Sequence, residues 1–270
     1  NNMGLNAYTN VDDLKNQIAE NDAAYEGSMG FVNYAEGIYV GYKFYETAAE
    51  EGLIQYEDTV QYPFGYGLSY TTFEKTIENF KDNGDTVTFD VTVKNTGDVA
   101  GKDVIELYYT APYTNGGIEK AAANLIAFEK TETLDPGAAE TKSITINKED
   151  MASYDYQNAK AYVLESGSYE ISLRTDSHTV VDTKTYDVAE TITYNGDNAR
   201  STDVATAENK LDDANGGLTY LSRADGFANY EEATKAPTNF SMSDENKQAF
   251  KNNSNYNPED YNDASDEMPT

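Results

Sequence analysis

Gln61–Phe73 reads QYPFGYGLSYTTF, and the chain changes character across it. Upstream, Asn33–Thr47 reads NYAEGIYVGYKFYET. Its glycines at 37 and 41 frame Ile38–Val40, after which Tyr42, Phe44, Tyr45, Ala48 and Ala49 favour a helix ending near Gly52. Further upstream, Val11–Tyr25 reads as a helix with Asn10 as N-cap and a thin apolar stripe of Val11, Leu14 and Ile18. That stripe needs a larger partner to bury it.

Downstream of Thr72 the apolar period becomes two. Thr72–Phe80 and Thr86–Lys94 predict a hairpin through Asp82-Asn83-Gly84-Asp85, with Val87, Phe89, Val91 and Val93 alternating against polar neighbours. Lys102–Thr110 is apolar on both faces, as a central strand requires. Ala121–Leu134 and Thr141–Ile146 predict two strands, joined through a Leu134-Asp135-Pro136-Gly137 turn whose Pro-Gly pair suits a type II geometry. Lys160–Glu165, Ser168–Thr175 and Thr179–Val188 complete the set. Some seven short strands with turn signals about every 8 to 12 residues predict a two-sheet antiparallel sandwich. From Ala189 onward the pattern weakens, with 16 acidic residues against 6 basic, and this stretch reads as an irregular acidic connector.

Composition narrows the function classes. Nineteen basic against 48 acidic residues give a net charge of -29, which repels nucleic acid and anionic membranes alike. With no cysteine there are no disulfides, thiolate metal sites or Cys nucleophiles, and no apolar run reaches the roughly 20 residues of a spanning helix. Neither nucleic-acid binding nor membrane insertion is expected. The first residues do not resemble a signal peptide and do not start with Met, so the 270 residues read as an internal stretch of a longer protein. The usage of 23 Tyr and 10 Phe without Trp suits a secreted or cell-surface polysaccharide-degrading system, and equally a lineage bias in composition.

NYAEGIYVGYKFYET and YPFGYGLSYTTFE together resemble the end of the α/β sandwich domain of family 3 glycoside hydrolases, the β-glucosidase family, running into its fibronectin-III-like domain. VTVKNTGDVAGKDVIELYYTAP, LIAFEKTETLDPG, MASYD and LESGSYEISL resemble successive runs of that domain. Lys120–Asn124 (KAAAN) departs from the family, which commonly has a Lys-Pro and a charged residue there. The resemblance implies three parts: 1–70, the end of an α/β sandwich domain; 71–188, a fibronectin-III-like β-sandwich; and 189–270, an acidic linker towards a (β/α)8 barrel. Leu218–Asp225 (LTYLSRAD) and the end at 262–270 resemble the connector of a subgroup whose barrel comes last. The implied partners are the remaining domains of the same enzyme and an oligo- or polysaccharide substrate.

A retaining glycosidase needs two carboxyls about 5 to 5.5 Å apart, a nucleophile and an acid/base. The resemblance puts the nucleophilic Asp on the barrel and the acid/base Glu on the α/β sandwich before Asn1, so no catalytic residue is assigned within this chain. Glu36 and Glu46 are the substitutes to consider. A carboxylate beside Tyr34, Tyr39 and Tyr42 could line a sugar subsite, which makes Glu36 and Tyr39 candidate substrate-proximal residues; otherwise Glu36 orients the turn at Gly37 and the tyrosines pack the domain. Tyr62, Phe64, Tyr66 and Tyr70 read as a rigid joint between domains or as an aromatic rim on substrate. His178, the single histidine, falls in a loop beside Ser177, where turn chemistry is the simpler reading than a triad. Asn195-Gly196-Asp197 and Asp263–Glu267 lack EF-hand spacing, and Gly65 and Gly67 precede no helix, so neither a metal nor a nucleotide cofactor is implied.

Overall fold

The structure, a computed structural model, describes residues 34–207, 218–235 and 244–245. The expected helix at Val11–Tyr25 and the acidic run Asp263–Glu267 lie outside these. The chain divides into two compact units, the larger comprising Glu36–Glu208 with Tyr220–Thr234. That unit is described below.

Ten strands build it: β1 Phe73–Asp82, β2 Thr86–Asn95, β3 Val104–Thr110, β4 Asn124–Lys130, β5 Ala139–Asn147, β6 Ser153–Asp155, β7 Ala161–Leu164, β8 Gly167–Arg174, β9 Val180–Val188 and β10 Ile192–Tyr194. They form three sheets, β1-β2-β5, β4-β3-β8-β9 and β10-β7-β6, with every pairing antiparallel. The mainly β, antiparallel sandwich expected from the sequence is what folds.

The alternation in β2 explains why. Val87, Phe89, Val91 and Val93 all point inward at 0–1% exposure, and Ile105, Leu107, Ile171 and Leu173 of β3 and β8 join the same core. Burying each such side chain contributes roughly 1.5–3 kcal/mol, which orders strands that would be marginal alone. β3 lies between β4 and β8 and is buried on both faces. The Pro136-Gly137 turn closes as expected, with Gly137 at φ 80 and Ala138 N donating to Asp135 O at 2.9 Å.

One expectation is corrected. The strand drawn over Ala121–Leu134 is shorter, because Ala121–Ala123 are buried and Ala122 N donates to Thr47 Oγ1 at 2.9 Å instead of to a neighbouring strand. After Val188, Ile192–Tyr194 adds a third strand to the small sheet, and Tyr220–Thr234 belongs to the same unit.

Helix α1 spans Tyr42–Glu50 and a single turn, α2, spans Tyr56–Thr59. α1 ends where the sequence places its end: Gly52 has φ 75, its N–H donates to Ala49 O at 3.1 Å, and Leu53 N donates to Ala48 O at 2.8 Å. The buried face of α1 carries Phe44, Glu46, Thr47 and Ala48.

Candidate functional site

The outer face of the β4-β3-β8-β9 sheet meets α1 through polar groups. Tyr108 and Glu106 alternate with the core residues of β3, so both point away from the sandwich interior. The Tyr108 hydroxyl donates to Glu106 Oε2 at 2.8 Å, and the Arg174 guanidinium lies 5.1 Å over the Tyr108 ring. Burial pushes the Glu106 carboxyl up, against the opposing pull of the Tyr108 hydrogen bond and Lys75. Lys75 Nζ reaches the Val104 carbonyl at 2.9 Å and Asp103 at 3.1 Å. Gly65 comes so near Glu106 that a Cβ there would lie 2.5 Å from Oε2, and its φ of 87 closes the turn in which Tyr66 N donates to Pro63 O.

Glu46, buried at 8% exposure on α1, is the hub of a second network. Ser177 Oγ donates to its Oε1 at 3.0 Å, and His178 Nδ1 lies 2.9 Å from its Oε2. The Tyr56 ring stacks on His178 at 3.7 Å between centroids, and burial followed by a hydrogen bond to Glu46 pushes the Tyr56 hydroxyl above its ordinary range. The loop holding Ser177 and His178 is shaped by Asp176, whose Oδ1 accepts from His178 N and Thr179 N at 3.0 and 2.8 Å. Arg174 donates to the Ser177 carbonyl at 2.5 Å, and Ser177 N donates to Phe64 O at 2.7 Å.

In a nucleophilic triad Ser would be bonded to His, and His to the acid. Here Ser177 and His178 hold opposite oxygens of the same carboxylate. The arrangement is a clamp between α1 and the β8–β9 hairpin.

A third cluster centres on Arg223. Its Nε and Nη2 lie 2.5 Å from Glu51 and Glu50, Nη1 donates to Lys120 O at 3.1 Å, and the guanidinium sits 4.4 Å over the Tyr113 ring. Next to it Glu119 accepts from the Tyr39 hydroxyl at 2.5 Å and from Arg223 N at 3.0 Å. Lys120 is buried at 3%, donates to Pro112 O at 2.6 Å and pairs with Glu165. The KAAAN segment thus runs under α1 and beside the LSRAD element.

The structure places the expected site residues separately. Tyr39 is buried at 2%, its ring packed edge-on at 4.9 Å to Phe227. Glu36 is partly exposed in the turn before α1, where its carbonyl accepts from Tyr39 N at 3.0 Å. In the aromatic run, Phe64 stacks on Tyr42 at 5.0 Å and Tyr62 lies 5.0 Å from Tyr66, yet Tyr62, Phe64, Tyr66 and Tyr70 stay exposed over 46–99% of their surface. Among the described residues no cluster of three or more His, Cys, Asp or Glu could hold a metal ion. Sequence reasoning noted LSRAD but not the partners of Arg223. It saw Glu46 and Ser177-His178 as separate features, and nothing local in either links positions so far apart in the chain.

Residues 103–177 match the fibronectin type III-like domain family, which defines the class of the sandwich. Among curated relatives, a β-glucosidase of Ruminococcus albus is 41% identical over 165 residues, covering 58% of this chain and 16% of that protein. Among solved structures, β-glucosidase 3B from Thermotoga neapolitana aligns with a TM-score of 0.53 at 37% identity, over 61% of this chain and 21% of that one. The Kluyveromyces marxianus β-glucosidase aligns with a TM-score of 0.54 at 34% identity, over 62% and 19%. The chain carries the fibronectin type III-like domain found in β-glucosidases of glycoside hydrolase family 3. It spans about a fifth of the length of the relatives it matches.

Proposed function

We propose that the chain is a non-catalytic portion of a family 3 β-glucosidase-like enzyme, which in full hydrolyses terminal β-linked sugars by a retaining two-carboxylate mechanism. Residues 1–70 are the end of its α/β sandwich domain, 71–188 its fibronectin-III-like domain, and 189–270 the acidic linker to its barrel. The observation that carries this reading is the match to several β-glucosidases over about a fifth of their length, with the fibronectin type III-like match at residues 103–177. The clamps at Glu46 and Arg223 support it, since their polar groups are engaged in holding α1 to the sandwich and leave no nucleophile-base pair. Their work is to fix the geometry of a joint.

In this reading the exposed edge of Tyr62, Phe64, Tyr66 and Tyr70 is the contact for the remaining domains. Tyr39 acts through packing, and Glu36, partly exposed, keeps the place nearest a saccharide substrate. The coding context tests the assignment. The frame upstream is expected to encode an α/β sandwich with an acid/base Glu, and the frame downstream a barrel with a nucleophilic Asp. A natural start and stop bracketing these 270 residues would refute it.

A further inference from the structure

The end of the sandwich remote from α1 carries a cleft of about 650 Å³, within the range of small-ligand sites. The tip of the β1–β2 hairpin, the end of β9 and β10 converge there. β9 starts just after His178 and runs nine residues to Val188, about 30 Å of strand. The cleft is therefore at the opposite end from the Glu46 network and from the aromatic joint.

Its walls are braced by bonds within the unit. Lys148 Nζ lies 2.7 Å from Asp82 Oδ1, and the Tyr186 hydroxyl donates to Asp82 Oδ2 at 3.1 Å. Lys148 N donates to Asp85 O at 2.9 Å, and Asn198 Nδ2 to Thr193 O at 2.9 Å. Leu164, Val188 and Ile192 supply apolar floor. Three lining side chains make no hydrogen bond among the described residues: the carboxylates of Asp85 and Glu190 and the hydroxyl of Tyr194. Burial, then the nearby Glu149 and Asp85, pushes the Tyr194 hydroxyl up, so it stays a donor.

We propose that this cleft is a binding site for the end of a neutral glycan chain. A sugar presents hydroxyl donors, which Asp85 and Glu190 can accept, hydroxyl oxygens, which Tyr194 can donate to, and an apolar C–H face for the floor. Anionic saccharides are disfavoured, because Asp82, Asp85, Glu149, Asp187 and Glu190 face the single cation Lys148. Asp82 is paired with Lys148, and Ser168 and Ser201 donate to Asp187 and Glu149, so among the acidic lining groups Asp85 and Glu190 keep their carboxylate oxygens for a ligand's hydroxyls. The choice of a β-glucan as the glycan rests on the glycosidase reading above.

The test is titration of the isotope-labelled 270-residue chain with cellotetraose and laminaritetraose, beside tetramers of galacturonic acid and glucosamine. A neutral tetramer is expected to shift resonances around Asp85, Glu190 and Tyr194 and leave those around His178 unmoved. Asp85→Ala, Glu190→Ala and Tyr194→Phe should each weaken binding about 3- to 10-fold. Asp85 and Glu190 are exposed, so their variants should melt like the parent. No shift with either neutral tetramer, binding indifferent to all three variants, or binding of the charged tetramers alone would overturn the proposal. Binding is read without hydrolysis, so a negative result strikes the cleft and not the glycosidase assignment.

Discussion

Arg223→Met removes one cation from the packed side of α1 while keeping an apolar stem of similar length. Arg223 is 4% exposed and has two carboxylate partners. The bond to Glu51, whose side chain is 23% exposed, is of the charge-assisted kind worth about 1.5–3 kcal/mol. The bond to Glu50, 52% exposed, is closer to a surface pair worth about 0.5 kcal/mol. The Lys120 carbonyl and the face of Tyr113 add roughly 1 kcal/mol each. Allowing for the glutamates regaining water, the loss is about 3 kcal/mol, or roughly a hundredfold in a local opening equilibrium. Because Arg223 belongs to the returning segment Tyr220–Thr234, that loss falls first on the segment's docking. Hydrogen exchange should show protection at 224–234 dropping by about two orders of magnitude, with β2 and β3 unchanged. Arg223→Lys should recover less than half, since one ammonium cannot span both glutamates and the carbonyl. Unchanged protection at 224–234 would refute the clamp, and an equal loss across β2 and β3 would refute its local character.

Gly65→Ala should cost about 2–4 kcal/mol in denaturant unfolding, from the left-handed φ of 87 and a Cβ driven against the buried Glu106 carboxylate; a cost under about 0.5 kcal/mol would contradict the close approach. Glu46→Gln and His178→Ala should each destabilise by about 1–2 kcal/mol and couple in a double-mutant cycle by more than about 0.5 kcal/mol; additivity would dissolve the network. Burial pushes the Asp155 carboxyl up, but the backbone N–H groups of Ala159, Asn158 and Gln157, at 2.9–3.1 Å, outweigh it and hold the group below the usual Asp range. The stability it contributes is present above about pH 4 and lost as the pH falls through the lower folded value, so Asp155→Asn should flatten that acid limb of the melting profile. Glu106 has the opposite sign: its carboxyl is raised by burial, so its folded form holds the proton longer and stability declines as the pH rises above about 4.5. Glu106→Gln should remove that decline, and a variant whose profile still falls there would assign the titration to another group.

The sandwich was readable wherever one face of a strand is buried and the other is not, because inward Val87, Phe89, Val91 and Val93 impose a period of two on the sequence itself. β6 and β10 were missed for the same reason in reverse: Ser153–Asp155 and Ile192–Tyr194 are three residues long, too short to show a period. The helix α1 was found by its glycines, but its polar burial was not. Glu46 reads locally as an ordinary helical glutamate, and only the fold brings the Ser177-His178 turn to it across 131 and 132 positions. Arg223 is a similar case. Its motif was visible, but partners at Glu50, Glu51 and Lys120 come from separate parts of the chain, and charge complementarity at such range leaves no local spacing to read.

The most direct measurement is hydrolysis of an aryl β-glucoside by this chain alone, and by the protein that contains it with its flanking domains restored. The account predicts no turnover above background from the 270 residues and activity in the restored protein that survives Glu36→Gln and Glu46→Gln to within the loss expected from altered stability. Turnover by the isolated chain, abolished by either substitution, would contradict it.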